Sequence, residues 1–346
     1  MMNFLFIFIF FVKTKVIYSN LNKKKNLVIG AVTNYKWIKI APFIKSYSMS
    51  GFENCDCVLF VYNMSQSTIN KIKSFGIIVY NIPEKYRSKK IINSRWKIYE
   101  DFLISNYDKY NLVLSVDVRD IFFQKDPFKY YNINKSFLGV ALEDGTLSEV
   151  RNKKWIIRAY GKDFHKTIKH KRIICVGTIW GTIDKFIDFS KEMWKRLDSK
   201  WSLKLRVIEQ AVGNYIIYHD KMFKDCLIKS ENKDGPIMTI KLTKNKNIYF
   251  DLNDNVLNMK GEVASVVHQY DRKSYIVRKV INKYCPEIIN NKFISYSIII
   301  IIFCLLFKSN LRKNCSNRYN ILKMYEMENR CKDKDNFQDL ENYSLK

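Results

Sequence analysis

Residues 112–128 read LVLSVDVRDIFFQKDPF. The apolar run Leu112 to Val116 has strand character and delivers Asp117 and then Asp120 at its carboxyl end, with Arg119 between them and Asp126-Pro127 closing the segment. Working outward, similar strand-like runs occupy Leu27 to Val32, Val58 to Tyr62, Ile77 to Ile82, Phe137 to Ala141 and Ile173 to Ile179. Between them Trp37 to Ser48, Ser67 to Ser74, Ser94 to Asn106, Ile183 to Leu197 and Val207 to His219 read as amphipathic helices. This alternation predicts a single α/β domain whose mixed, mainly parallel sheet is covered on both faces. After residue 236, short pieces at Met238 to Leu242, Ile248 to Leu252 and Ala264 to Val267 suggest an antiparallel addition. Ligands of open α/β sheets sit beyond the carboxyl ends of the strands, so the acids after Val116 are the first candidates for chemistry.

Two carboxylates three positions apart on a turn can converge on one divalent cation, and a diphosphate needs such a cation to offset its charge. The same spacing suits a pair of turn or cap aspartates held by Arg119, and spacing alone does not separate the two. A second element, Val266-Val267-His268-Gln269-Tyr270-Asp271-Arg272, sets one of four histidines after a short apolar strand. Neutral imidazole is a competent ligand for manganese, and Arg272 could neutralise a phosphate. A hydrogen-bonded structural histidine would carry the same signature. In a third, Cys175-Val-Gly177-Thr178-Ile-Trp-Gly181-Thr182, the two glycines permit close approach of backbone to a ligand, or a tight bend in a strand.

Taken together, these segments resemble the GT-A (Rossmann-like) glycosyltransferases, which move a sugar from a nucleotide-diphosphate donor. The resemblance covers roughly residues 26–275 and looks closest to the nucleotide-diphospho-sugar transferases with a strand ending in DxRD followed by FQxDPF. It extends more distantly to glycogenin-like enzymes. The resemblance implies that Asp117 and Asp120 form the acidic metal and nucleotide motif and that His268 is a further ligand of Mn2+ or Mg2+. It implies that Arg95, in Asn93-Ser-Arg-Trp96, helps hold the donor. Gly177 and Thr178 would line the sugar pocket, Glu209-Gln210 would lie near the acceptor and donor sugar, and Ala31, Thr33 and Asn34 would hold the base and ribose. The distant relatives space their acids as DxD, whereas here Arg119 takes the third position and the second acid comes one residue later. Both carboxylates touching the metal, and Arg119 partly replacing it as the diphosphate's counter-charge, are both compatible with that spacing.

In such a reaction negative charge builds on the departing diphosphate, where a cation has most to stabilise. A general base is required only if configuration inverts, and Glu209, Asp144 and Asp271 are candidates among which the sequence does not choose. The competing reading is a catalytically inactive GT-A-like module that binds sugar or protein at a membrane. The acceptor, whether glycan, protein or lipid, is not legible.

The 346 residues carry 60 Lys and Arg against 33 Asp and Glu, a formal charge of +27, with 47% hydrophobic residues. That hydrophobic share supports a large core and excludes disorder. Only 11 Gly and 5 Pro exclude collagen and linker-rich chains. Lysine is spread along the whole chain with no Arg-rich helix, zinc-finger spacing or RNP-type motif, so no nucleic-acid partner is expected. Five of the eight cysteines (Cys55, Cys57, Cys175, Cys226 and Cys285) fall in the central region, an odd number that cannot all pair internally. Cys55 and Cys57 would share one strand face, as small buried hydrophobes or as metal ligands.

The ends suggest a membrane. Phe4 to Val12 suits a signal-peptide core, so residues 1–19 are expected to be a signal peptide or an N-terminal anchor. Residues 293–307, FISYSIIIIIFCLLF, carry no charge, and at 1.5 Å per residue cover about 22 Å of a bilayer core of roughly 30 Å. Snorkelling by Lys292 and Lys308 would extend that reach, and the run reads as a C-terminal transmembrane helix. The basic tail of 308–346 begins with Lys308, Arg312, Lys313, Arg318 and Lys323, a cytoplasmic flank by charge. The expected topology puts the domain in the lumen of the secretory pathway (ER or Golgi), with Asn63-Met-Ser65 and Asn134-Lys-Ser136 as glycosylation acceptors.

Overall fold

A computed structural model of the chain describes residues 24–87, 90–131, 135–199 and 208–288. The expected signal segment, the apolar run 293–307, the basic tail and Asn134 lie outside the described residues. Among the described residues no helix is long and apolar enough to cross a membrane.

In chain order the elements are β1 (Lys25–Thr33), α1 (Trp37–Met49), β2 (Cys55–Tyr62), α2 (Gln66–Ser74), β3 (Ile78–Asn81), α3 (Glu84–Arg87), α4 (Ile91–Ser105), β4 (Tyr110–Val116), β5 (Ile121–Phe123), β6 (Leu138–Thr146), α5 (Val150–Ile168), β7 (Arg172–Thr182), α6 (Ile183–Leu197), α7 (Glu209–Tyr215), β8 (Leu227–Glu231), β9 (Ile237–Thr239), β10 (Tyr249–Phe250), β11 (Val256–Leu257), β12 (Val266–His268) and α8 (Ser274–Tyr284). Seven strands form one sheet in the order β3-β2-β1-β4-β7-β6-β8. All neighbours pair in parallel except β7, which runs antiparallel to both β4 and β6. The mixed, mainly parallel α/β sheet is thus the one the alternation of elements predicts.

Side chains alternate across a strand, and β1 shows the result. Leu27 and Ile29 pack on one face with Trp96, Tyr99, Phe186 and Phe189. Val28 and Val32 pack on the other with Ile40, Phe43, Leu114 and Phe123. Both faces are dry, which is why the central strands read as continuous apolar runs rather than alternating ones. Strand order reverses at β1, between β2 and β4, and Gly30 pairs with Val116 across that boundary. The residues just after β1 and β4 therefore share the crevice where such sheets bind ligands.

A second sheet, β5-β12-β9, continues from the β4 motif. The chain after residue 236 is only partly the antiparallel addition expected from sequence: β12 is antiparallel to β5 but parallel to β9, and β10 pairs antiparallel with β11. Helix α5 was not anticipated, because it is charged on most of its surface and broken at Gly161, where φ is 86°. The packed body also runs past residue 275. Ile276, Val280 and Tyr284 of α8 bury against Ala41 and Phe122, and the Tyr284 hydroxyl donates to the Phe123 carbonyl at 3.1 Å.

The five described cysteines are free thiols. Cys57 is buried, and burial pushes the Cys55 thiol up to about 12, so the pair behaves as small hydrophobes. Asp126 caps the short turn that starts at Pro127, accepting from the Phe128 amide at 2.9 Å, which accounts for the acid closing the motif.

Candidate active site

The β4–β5 turn is held from two sides by backbone. The Asp117 amide donates to the Gly177 carbonyl of β7 at 3.0 Å, and the Gln269 amide donates to the Asp120 carbonyl at 2.7 Å. Gln269 achieves this with φ 60°, turning the chain sharply after His268. Because β12 pairs with β5, placing His268 opposite Ile121, the imidazole arrives beside both acids despite some 150 residues of separation.

His268 Nε2 lies 3.3 Å from Asp120 Oδ1 and 3.9 Å from Asp117 Oδ2. One ligand atom from each of the three residues lies within 4.8 Å of the others. His268 Nδ1 meets Cys175 Sγ at 3.2 Å and Thr239 Oγ1 at 3.5 Å, so the ring cannot swing away. Nε2 is buried without a hydrogen-bond partner. Gly177 forms the wall: a Cβ there would sit 2.5 Å from His268 Cε1 and 2.7 Å from Asp117 Oδ2. A buried imidazole nitrogen facing two converging carboxylates, beside a wall that tolerates only hydrogen, fits a divalent cation.

Cationic groups close the other side. Arg272 Nη2 lies 3.7 Å and Arg119 Nη2 3.8 Å from Asp120 Oδ2, and both arginines also pair with Asp271. Burial alone would raise the Asp120 carboxyl, but His268 and the two guanidiniums hold it below the ordinary range. Burial and the charge of Asp120 push Asp271 up. For His268, burial opposes the charged ring, yet the Cys175 sulfur and Asp120 outweigh it and raise its pKa well above the usual imidazole range.

Deeper in, Arg95 of α4 spans Asp117, to which it donates a hydrogen bond, and Glu209 of α7, 3.1 Å away. Burial lifts Glu209 to about 8 against the pull of Arg95, and Asp117 adds to the lift. One guanidinium is shared between the buried Glu209 and the half-buried Asp117. Its shorter contact is with Asp117, which leaves Glu209 the less compensated of the two carboxyls.

The structure therefore brings together Asp117, Asp120, His268, Arg95, Arg119, Arg272, Gly177 and Glu209 from the residues singled out in the sequence. Thr178 is buried at the same point of β7, opposite Val116, with its hydroxyl unpartnered. Ala31 and Thr33 end β1 at the same sheet edge, followed by Asn34, which accepts a hydrogen bond from Asn63 of the first sequon. The Gln210 side chain is hydrogen-bonded to β7, accepting from the Val176 amide and donating to the Ile174 carbonyl. Asp144 is likewise engaged, by Arg172, Asn232 and Thr243. Sequence reasoning missed Tyr35, whose phenol is raised by burial and feels Arg119, Asp117 and Asp120, and Glu143, buried with an unpartnered oxygen. Adjacency to Asn34 and to Asp144 was the signal available for each.

No protein-family profile matches the chain, and no curated protein is significantly similar in sequence. Among solved structures the chain is similar to an active-site mutant of LgtC (11% identity, TM-score 0.44, covering 70% of this chain and 86% of that one). It is also similar to the galactosyltransferase LgtC in complex with donor and acceptor sugar analogs (12%, 0.43, 70% and 86%). A third is the glycosyltransferase GlyE of Streptococcus pneumoniae (14%, 0.39, 61% and 46%).

Proposed function

We propose that the chain is a GT-A-type glycosyltransferase that takes a sugar from a nucleotide-diphosphate donor with a divalent cation held by Asp117, Asp120 and His268. The observation that carries this is the convergence of those three side chains against Gly177, with His268 Nε2 buried and facing both carboxylates. A cation bound there supplies positive charge to the departing diphosphate. Arg119 and Arg272, both partly exposed and cross-braced by Asp271, offer forked donors to the same phosphates. Arg95 fixes the carboxylate of Asp117, and Thr178 offers a buried hydroxyl to the sugar. Each candidate base is engaged: Glu209 by Arg95, Asp144 by Arg172, and Asp271 by two arginines. Stabilising the leaving group is thus the contribution this constellation is built to make.

The same reading keeps the domain on the lumenal side of a secretory membrane, tethered through residues 293–307, and protease protection in sealed microsomes tests that placement. The activity is tested by incubating the purified chain with a panel of nucleotide sugars and manganese and recording nucleoside-diphosphate release. Metal-dependent release that disappears in Asp120→Ala is the expected result. Nucleotide binding without release under any donor would replace the enzyme by a binding module.

A further inference from the structure

A cavity of about 720 Å³ opens where the carboxyl end of α5, the segment after α7 and the edge strand β8 meet, and none of the residues of the candidate active site lines it. Four lysines converge on it: Lys171, Lys221, Lys224 and Lys229. No Asp or Glu is among the lining residues, and none of the four ammonium groups has an acidic partner among the described residues. Unpaired lysines are common in a chain of net charge +27, but these four line one cavity. Of the acids adjacent to these lysines in sequence, Asp220 faces Arg196 and His219, and Asp225 is exposed and forms no ion pair with any of the four.

The backbone is arranged to bring these charges in. Helix α7 widens into a π turn over Ile216–Asp220, a rare local geometry that recurs at functional sites, and the chain leaves it through Lys221 at φ 55°. A stack of rings braces that turn: Tyr215 lies over Tyr160 at 3.9 Å and over His219 at 4.4 Å. The cavity floor is apolar, with Ile217 and Leu227 beneath the amines. The four lysines are exposed, so an anion can reach them from solvent, and a cleft of one charge sign with low-dielectric walls focuses its field on such a ligand.

We propose that this cavity binds a phosphate-bearing anion, its phosphates held by the four lysines and its less polar body resting on Ile217 and Leu227. Two sources share that chemistry, a soluble polyphosphate ester and the headgroup of an anionic lipid. The inference is independent of the glycosyl-transfer reading, since none of its residues takes part in that site.

The test is residue-resolved acylation of lysines in the full-length chain carrying Asp120→Ala, in EDTA, so that no cation bridges phosphate to the acidic site and the lysine-by-lysine readout excludes any binding at Arg119 and Arg272. The probes are inorganic tripolyphosphate and vesicles of phosphatidylcholine with or without phosphatidylserine. Protection of Lys171, Lys221, Lys224 and Lys229, but not of exposed Lys153 and Lys191, is expected. Protection by tripolyphosphate assigns a soluble ligand, and protection only by phosphatidylserine vesicles assigns a headgroup. Lys224→Gln with Lys229→Gln should weaken that binding by roughly tenfold or more, at a cost of about 1 kcal/mol for each lysine near an anionic surface. The idea is overturned if neither probe protects the four lysines. It is equally overturned if the pair Lys153→Gln and Lys191→Gln weakens binding as much, which would make it a response to net charge alone.

Discussion

Gly177→Ala places one methyl group where the three metal-ligand candidates meet. The added carbon would stand 2.5 Å from His268 Cε1, 2.9 Å from His268 Nε2 and 2.7 Å from Asp117 Oδ2. Carbon atoms in good contact sit at about 3.5–4.0 Å, so one of the two side chains must retreat by roughly 1 Å. His268 cannot, being fully buried and held at Nδ1 by Cys175 and Thr239. Asp117 is about one-third exposed, with a side-chain exposure of 35%, so the carboxylate swings outward and loosens its bond to Arg95. Such overpacking costs about 1–3 kcal/mol of stability, which leaves a folded protein. Metal affinity should fall much further, because ligand distances tolerate only about 0.2 Å of error. The expected loss is about 100-fold in manganese affinity by calorimetry and a similar loss in nucleoside-diphosphate release. Asp117→Asn should produce a comparable loss, and combining the two should add little, since both act through one carboxylate. Unchanged manganese affinity in a well-folded Gly177→Ala variant, or full additivity with Asp117→Asn, would refute the geometry argued here.

Glu209 titrates against stability. Its pKa rises on folding from an ordinary 4.5 to about 8, so the folded state holds a proton that the unfolded state releases between those values. Stability contributed by the neutral form is intact below about pH 4.5 and falls as pH rises towards 8, with a ceiling of about 5 kcal/mol; urea denaturation of wild type against Glu209→Gln across that range should show the curves diverging, and parallel curves would exclude it. Arg95→Met removes the partner shared by the part-exposed Asp117 carboxylate and the buried Glu209 carboxyl and should cost about 1–3 kcal/mol in chemical denaturation, with little rescue by lysine, which lacks the fork. Asn214→Ala removes the side chain that hydrogen-bonds both backbone groups of Ile174, and should cost about 1–3 kcal/mol while leaving manganese affinity unchanged by calorimetry. Manganese should raise the melting temperature of wild type and not that of Asp120→Ala, as expected for a ligand that binds only the folded state.

The apolar runs and their spacing determined the layer architecture, because a strand buried on both faces must be continuously apolar and the helices between must show one polar face. The acids of the motif were also legible, since a strand end followed by DVRD exposes carboxylates at the sheet edge wherever the strand belongs. What the chain alone left open was whether those acids are a capped turn or part of a ligand set. The pairing of β12 with β5 supplies what the sequence could not, carrying His268 to a point beside both carboxylates that Gly177 keeps clear. Gln210, placed near the sugars by the family resemblance alone, shows what only the tertiary structure reveals: α7 turns its amide onto the backbone of β7. The parallel pairing of β9 with β12 and the length of α5 escaped the sequence for one physical reason. Short strands and charged helices owe their stability to tertiary partners rather than to local pattern, and partners distant along the chain leave no local signature.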